Sequence, residues 1–203
     1  MNYWNKYYKK NLSPSGPTRF AFFCKKYLKK FNGKVFDIGC GNGRDVAFFN
    51  KNKIDCYGVD LSKKAILQNK KKYKSIKNNF LNKDFSKLNI SKLKTDIAIY
   101  SRFSLHSIDK KKEKDLIKIL NNSKNIKLVM IETRTIYDEL YGKGFKIGKN
   151  EFITSHYRRF IDPKKLKKDI NNSFKIKYFK LNKNLAKFKN ENPKVLRIIG
   201  VRK

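Results

Sequence analysis

Past Gly33 the chain alternates short apolar runs with longer polar stretches, in which apolar residues return every third or fourth position. The runs KVFDIG, DCYGVD, NNFLNKD, TDIAIYS and IKLVMIET predict five strands, and GRDVAFFNKN, SKKAILQNKKKYK and KKEKDLIKILNNS predict the helices between them. Parallel neighbours need crossover connections, so this succession predicts a parallel sheet with helices on both faces. DPKKLKKDINN predicts one more helix. FKIKYFKL and VLRIIGVRK then follow with no helix between them, which predicts an antiparallel finish. Ahead of Gly33, NYWNKYYKKN predicts a short aromatic helix, SPSGP breaks it, and TRFAFFCKKYLKKF predicts a second helix. Phe20, Phe23, Leu28 and Phe31 share one face of that second helix and should pack on the body.

Composition narrows the class. At 203 residues with 39% hydrophobic content and sixteen Phe, the chain fits one domain with a real core, and wholesale disorder is excluded. No apolar stretch approaches the roughly 20 residues of a membrane span, and MNYWNKYYKKN lacks the apolar centre of a signal peptide, so a soluble, cytoplasmic protein is expected. Cys24, Cys40 and Cys56 are too few and too scattered for a zinc site and leave one unpaired in any disulfide scheme; free thiols and no metal are expected. The 51 basic residues against 16 acidic ones give a formal charge of +35. That balance suits a polyanionic partner. Yet the basic residues recur all along the chain, as KKYLKKF, NKKKYKSIKNN, DKKKEKD and PKKLKKD, beside abundant Asn and Ile. Compositional drift toward lysine explains such a spread equally well.

The stretch VFDIGCGNGRD carries the first candidate chemistry. A dinucleotide fingerprint counted from Gly39 and Gly41 would place its third glycine where Arg44 stands, and no Gly-Lys-Ser/Thr element follows to make a Walker loop. Instead Asp37 ends the strand and Gly39, Gly41 and Gly43 follow at alternate positions. Glycines let a backbone approach a ligand, the helix N-terminus offers N–H groups to a carboxylate, and Asp37 prefers an ammonium. An amino acid end satisfies both demands. Asp60, at the end of the second strand, is placed to accept ribose hydroxyls, and Asp84, after the third, to accept from an exocyclic amine while Phe85 or its neighbours sandwich a base.

Amino acid, ribose and adenine in that order describe S-adenosylmethionine, and residues 33–132 resemble the class I S-adenosylmethionine-dependent methyltransferases. The resemblance implies a three-layer, Rossmann-like α/β sandwich whose seven-stranded, mostly parallel sheet has an antiparallel last strand. It also implies that Asp37, Gly39, Gly41 and Gly43 hold the methionine portion, Asp60 the ribose and Asp84 the adenine. Cys40, Leu61, Phe85 and Tyr100 complete the cofactor side. Residues 1–32 are expected to form a helical lid over a catalytic domain at 33–203, with Trp4, Tyr7 and Tyr8 either lining the pocket or merely anchoring the helix.

In this family the loop after the fourth strand lies beside the transferable methyl group, and here it brings Arg102 and His106. His106 is a candidate general base or a structural histidine bonded to a carbonyl. EFITSHYRRF, which lacks helical periodicity, adds His156, Tyr157, Arg158 and Arg159, and the fifth strand adds Glu132 and Arg134. His106 and Tyr157 are the catalytic candidates. Arg102, Arg134, His156, Arg158 and Arg159 are the substrate-binding ones, because arginine forks take carboxylates and phosphates in bidentate fashion. Pairing with Glu132, Asp138 or Glu139 is the alternative for those arginines.

Three functions stay open. The first is methylation of N or O on a small acceptor bearing phosphate, phosphonate or carboxylate. The second is an RNA methyltransferase resembling cap guanine-N7 enzymes, whose motifs GCGNGRD and SRFSLH faintly echo, although the chain lacks an Asn/Asp-Pro-Pro-aromatic element. The third is a basic scaffold without catalysis. The oligomeric state is not legible.

Overall fold

The computed structural model describes residues 2–9, 14–188 and 190–203. The predicted end of the first helix at Lys10 and Asn11, and Ser13 of the predicted break, lie outside these. The chain runs α1 (Asn2–Lys9), α2 (Arg19–Leu28), β1 (Lys34–Ile38), α3 (Arg44–Lys51), β2 (Cys56–Asp60), α4 (Lys63–Lys72), β3 (Phe80–Asn82), β4 (Ile97–Arg102), α5 (Lys110–Asn122) and β5 (Ile126–Arg134). It continues through β6 (Phe145–Gly148), β7 (Glu151–Ile153), β8 (Tyr157–Arg159), α6 (Pro163–Asn171), β9 (Phe174–Asn182) and β10 (Val195–Arg202).

Seven strands form one sheet in the order β3-β2-β1-β4-β5-β10-β9. β1 to β5 pair in parallel, and β10 runs antiparallel to both β5 and β9. This is the doubly covered sheet with a reversed last strand that the alternation of runs predicts. The central strands β4 and β5 are buried along almost their whole length, whereas β9 at the edge alternates between inward and solvent-facing residues. Phe20, Cys24, Val46, Phe49 and Ile66 from α2, α3 and α4 fill one face. Leu116, Leu120, Leu166 and Ile170 from α5 and α6 fill the other. A fully buried phenylalanine such as Phe20 or Phe49 contributes about 1.5–3 kcal/mol on removal from water.

Helix starts follow side-chain capping. Thr18, Ser62, Asp109 and Asp162 accept from backbone N–H groups at the starts of α2, α4, α5 and α6. Helix α3 is the exception, since Gly43 stands at its N-cap at φ 68° with no side chain to offer. A Cβ at Gly43 would collide with the rings and amides of Phe80 and Asn69, so this glycine serves close packing of the loop on α4 and β3.

The stretch from Phe145 to Arg159 departs from the sequence reading. It folds as a small antiparallel sheet, β6-β7-β8, set apart from the main one. Phe145, Ile147 and Ile153 stay exposed there, so the stretch shows no buried-face alternation that would announce strands. The three cysteines are free and buried, as expected. Among the described residues no helix is long and apolar enough to cross a membrane.

Candidate active site

The carboxyl ends of β1, β2 and β4 open onto a cavity of about 560 Å³. One end is built by the glycine loop. Asp37 lies at the end of β1, 3% exposed, and its carboxylate has no hydrogen bond or ion pair among the described residues. Burial, then the nearby Asp45 and Asp60, pushes its pKa well above the usual carboxylate range. Gly39, Cys40 and Gly41 line the cavity beside it. Asp60 accepts from Gly41 N at 2.9 Å and Ser62 N at 2.7 Å, fixing the glycine loop to the start of α4. Burial raises its pKa, and these two bonds offset part of the rise. Leu61 and Phe85 complete this wall.

The other end is lined by arginine, histidine and aromatic rings. Arg102 donates through Nε to Glu132 at 3.0 Å and stacks over Phe103, with its guanidinium carbon 4.3 Å from the ring centre. The terminal nitrogens of Arg102 have no hydrogen bond among the described residues. Phe103 holds φ at 56°, a conformation costly for a bulky side chain and one concentrated at functional loops. His106 is 5% exposed, and its Nδ1 is sealed from solvent with no partner. Burial, followed by Arg134, Arg158, His156 and Arg102, drives its pKa well below that of a free imidazole. His156 stacks on Tyr3 with ring centres 4.5 Å apart and meets the edge of Trp4. Burial, then Arg158 and Arg134, lowers its pKa to about 4.

Helix α1 forms part of the wall of this space. Tyr3, Trp4, Tyr7 and Tyr8 all line the cavity, so these rings face the pocket while the helix packs on α4. The loop before α2 is held to the glycine turn by Asp45, which accepts from Thr18 N at 2.7 Å, Thr18 Oγ1 at 2.8 Å and Tyr100 Oη at 2.7 Å.

Five residues expected at the site lie away from the cavity. Gly43 packs against α4 and β3, as above. Asp84 caps the turn at Phe85–Lys87, bonding Ser86 N and Oγ and pairing with Lys112 at 3.2 Å. Burial pulls its pKa up, but those partners outweigh it and hold the carboxylate ionised, so Phe85 and Lys83 meet the cavity in its stead. Tyr100 is fully buried against Phe20 and Phe49 and spends its hydroxyl on Asp45. Tyr157 and Arg159 fail for one reason. Side chains alternate along β8, and Arg158 takes the cavity side. Arg159 instead bonds Glu113 at 2.8 Å and the carbonyl of Ile108 at 3.0 Å. Arg134 reaches the cavity but is engaged by Asp138, through two 3.1 Å bonds, and by Glu191 at 2.5 Å.

Arg44, Phe103, Tyr3 and Glu191 line the cavity although sequence reasoning did not single them out. Arg44 follows the last loop glycine and Phe103 lies between Arg102 and His106, so position alone was the available signal. Glu191 had none.

The model of the methyltransferase domain family matches residues 35–123, the segment that carries the glycine loop, Asp60 and the β4 loop. Over that segment the chain is similar to a methyltransferase domain. Solved structures share its fold across nearly the whole chain. A protein of Pyrococcus horikoshii is 18% identical with a TM-score of 0.68, covering 91% of this chain and 88% of its own. A Clostridium acetobutylicum S-adenosylmethionine-dependent methyltransferase is 16% identical with a TM-score of 0.67, covering 91% of each chain. The glycopeptide N-methyltransferase MtfA, solved with S-adenosylhomocysteine, is 11% identical with a TM-score of 0.64, covering 93% of this chain and 91% of its own. No curated protein matches the chain in sequence.

Proposed function

We propose that this protein is a methyltransferase that transfers the methyl group of S-adenosylmethionine to a small, anionic acceptor held beneath α1. The observation that carries the reading is one cavity that holds both a buried carboxylate, Asp37, with no hydrogen bond or ion pair among the described residues, and two arginines, Arg102 and Arg158, with unused donors. Asp37 lacks any hydrogen bond among the described residues, and a buried carboxylate in that condition calls for a cationic group. The ammonium of the methionine portion supplies one. Gly39, Cys40 and Gly41 give that portion a backbone it can approach closely, Asp60 retains lone pairs for the ribose hydroxyls, and Leu61 and Phe85 flank the base. The bound donor supplies an activated methyl group. Placing the acceptor and excluding water are then the chief tasks of the chain.

At the acceptor end Arg102 and Arg158 are the anion ligands. Arg102 keeps its terminal nitrogens free, and Arg158 bonds the Thr154 hydroxyl but pairs with no carboxylate among the described residues. Residues 2–9 act as a lid, with Tyr3, Trp4, Tyr7 and Tyr8 as its inner surface. A cavity of about 560 Å³ walled in part by the rings of α1 suits a small molecule better than a nucleic acid strand, which runs along an extended groove.

The test is calorimetric. S-adenosylhomocysteine should bind the native protein and bind Asp60→Ala at least tenfold more weakly. Unaltered affinity in Asp60→Ala would remove the ribose assignment, and turnover on RNA with none on small anionic acceptors would reverse the choice of substrate.

A further inference from the structure

The charges at the acceptor end say which atom is methylated. Arg102, Arg134 and Arg158 converge there around His106. Among the described residues, the carboxylates within hydrogen-bond reach of them are already held. Glu132 takes Arg102 on one oxygen and Arg197 on the other, at 3.0 and 2.6 Å. Asp138 and Glu191 both take Arg134. An ammonium acceptor would therefore enter a site of like charge, facing a donor that is itself cationic, while Asp37, the unpaired carboxylate of this cavity, is taken by the donor's own ammonium.

A neutral alcohol meets a different obstacle, because its oxygen attacks only as a proton leaves. The nearby imidazoles are His106 and His156, and burial together with the arginines makes both weak bases. Nδ1 of His106 is sealed and without a partner, which leaves Nε2 as the nitrogen open to the cavity. A neutral imidazole in that setting is suited to hydrogen bonding with the acceptor, which makes His106 a positioning group.

We propose, on the small-acceptor reading above, that the methyl acceptor is an ionised oxygen on a flat, unsaturated molecule, gripped by Arg102 and Arg158 and flanked by the rings of Tyr3, Trp4 and Phe103. A carboxylate is the simplest such group. When the donor is bound, an oxygen lone pair forms the new O–C bond, the C–S bond breaks with its electron pair left on sulfur, and no proton is released. The anion and the sulfonium both end neutral, so the product loses its hold on the two arginines.

Benzoate and benzylammonium are matched flat probes of opposite charge. By calorimetry with S-adenosylhomocysteine-loaded protein, benzoate should bind with a dissociation constant below about 10 mM and benzylammonium should show no saturable binding. Arg102→Gln and Arg158→Gln should each weaken benzoate by about tenfold while S-adenosylhomocysteine still binds. With S-adenosylmethionine, mass spectrometry should find methyl benzoate and no N-methylbenzylamine. The proposal is overturned by benzylammonium binding as tightly as benzoate, by N-methylbenzylamine as the product, or by benzoate binding that is absent or unchanged in both variants. Failure of S-adenosylhomocysteine to bind the native protein overturns the cofactor site itself, a separate result.

Discussion

The phenolic oxygen of Tyr8 occupies the space where Gly41 would carry a side chain. Gly41 is at φ 52°, its N–H bonds Asp60, and burial followed by the charge of Asp60 raises the pKa of Tyr8. Helix α1 and the glycine loop therefore meet through an atom that fits only glycine. Gly41→Ala is expected to cost about 1–2 kcal/mol from the left-handed backbone alone and to expel Tyr8 from its seat. Thermal melts and S-adenosylhomocysteine calorimetry check this. A variant with native melting temperature and native affinity would show that the contact is incidental.

Asp37 should separate stability from binding. Its folded pKa is raised by burial, so the native state resists its ionisation, while the unfolded carboxylate ionises near its ordinary value of 3.8. Stability is then lost as pH rises from 3.8 toward the folded pKa, and that loss persists at neutral pH. Asp37→Asn removes it. The variant is expected to melt above the native protein at pH 7, with the gap closing as pH falls toward 4, and to bind S-adenosylhomocysteine more weakly. A lower melting temperature at pH 7 would mean that the carboxylate has a stabilising partner even without ligand.

The succession of strands and helices and the antiparallel finish were legible because buried parallel strands write apolar runs, and crossover helices write a 3.6-residue period, into any sequence. Asp37, Gly39, Gly41 and Asp60 were legible because they sit at strand ends, where one residue more or less is readily counted. Asp84 was misread because position near a strand end does not reveal a competing partner, here Ser86 and Lys112. Arg158 and Arg159 could not be told apart without knowing that their stretch is a strand, since alternation alone sends them to opposite faces. Glu191 reaches Arg134 across 57 positions of chain, a contact no local pattern announces.

The stack of His156 on Tyr3 should make lid closure sensitive to acid. The folded pKa of His156 is about 4 against 6.5 for a free imidazole, lowered by burial and by Arg158 and Arg134, with Glu191 opposing. Withdrawing α1 relieves the burial while Arg158 and Arg134 stay in place, so the detached state takes up a proton more readily than the stacked one and closure weakens as pH falls from 6.5 toward 4. Trp4 is the only tryptophan in the chain and touches His156 edge-on. Its fluorescence should shift to the red across this window, and His156→Phe should hold the blue-shifted position throughout. A native spectrum that does not move between pH 7 and pH 4.5 would exclude the coupling.

Arg158 and Arg159 offer the sharpest contrast, since adjacent residues of one type should fail in unrelated ways. Arg159 is 6% exposed and bonded to Glu113, itself buried on α5, as well as to two carbonyls of the β4–α5 connection. Removing one partner strands the other charge in a poorly solvated place, so Arg159→Ala is expected to cost about 3–5 kcal/mol. Arg158 is half-buried and pairs with no carboxylate among the described residues. Arg158→Ala should change stability by no more than about 0.5 kcal/mol. Its loss should instead appear in the binding of anionic acceptors, which Arg159 does not touch. Urea denaturation of the two variants, set beside benzoate titrations, checks both halves at once. If Arg158→Ala proved the less stable of the two, or if it left anion binding intact, the side of β8 that faces the acceptor would have to be reassigned.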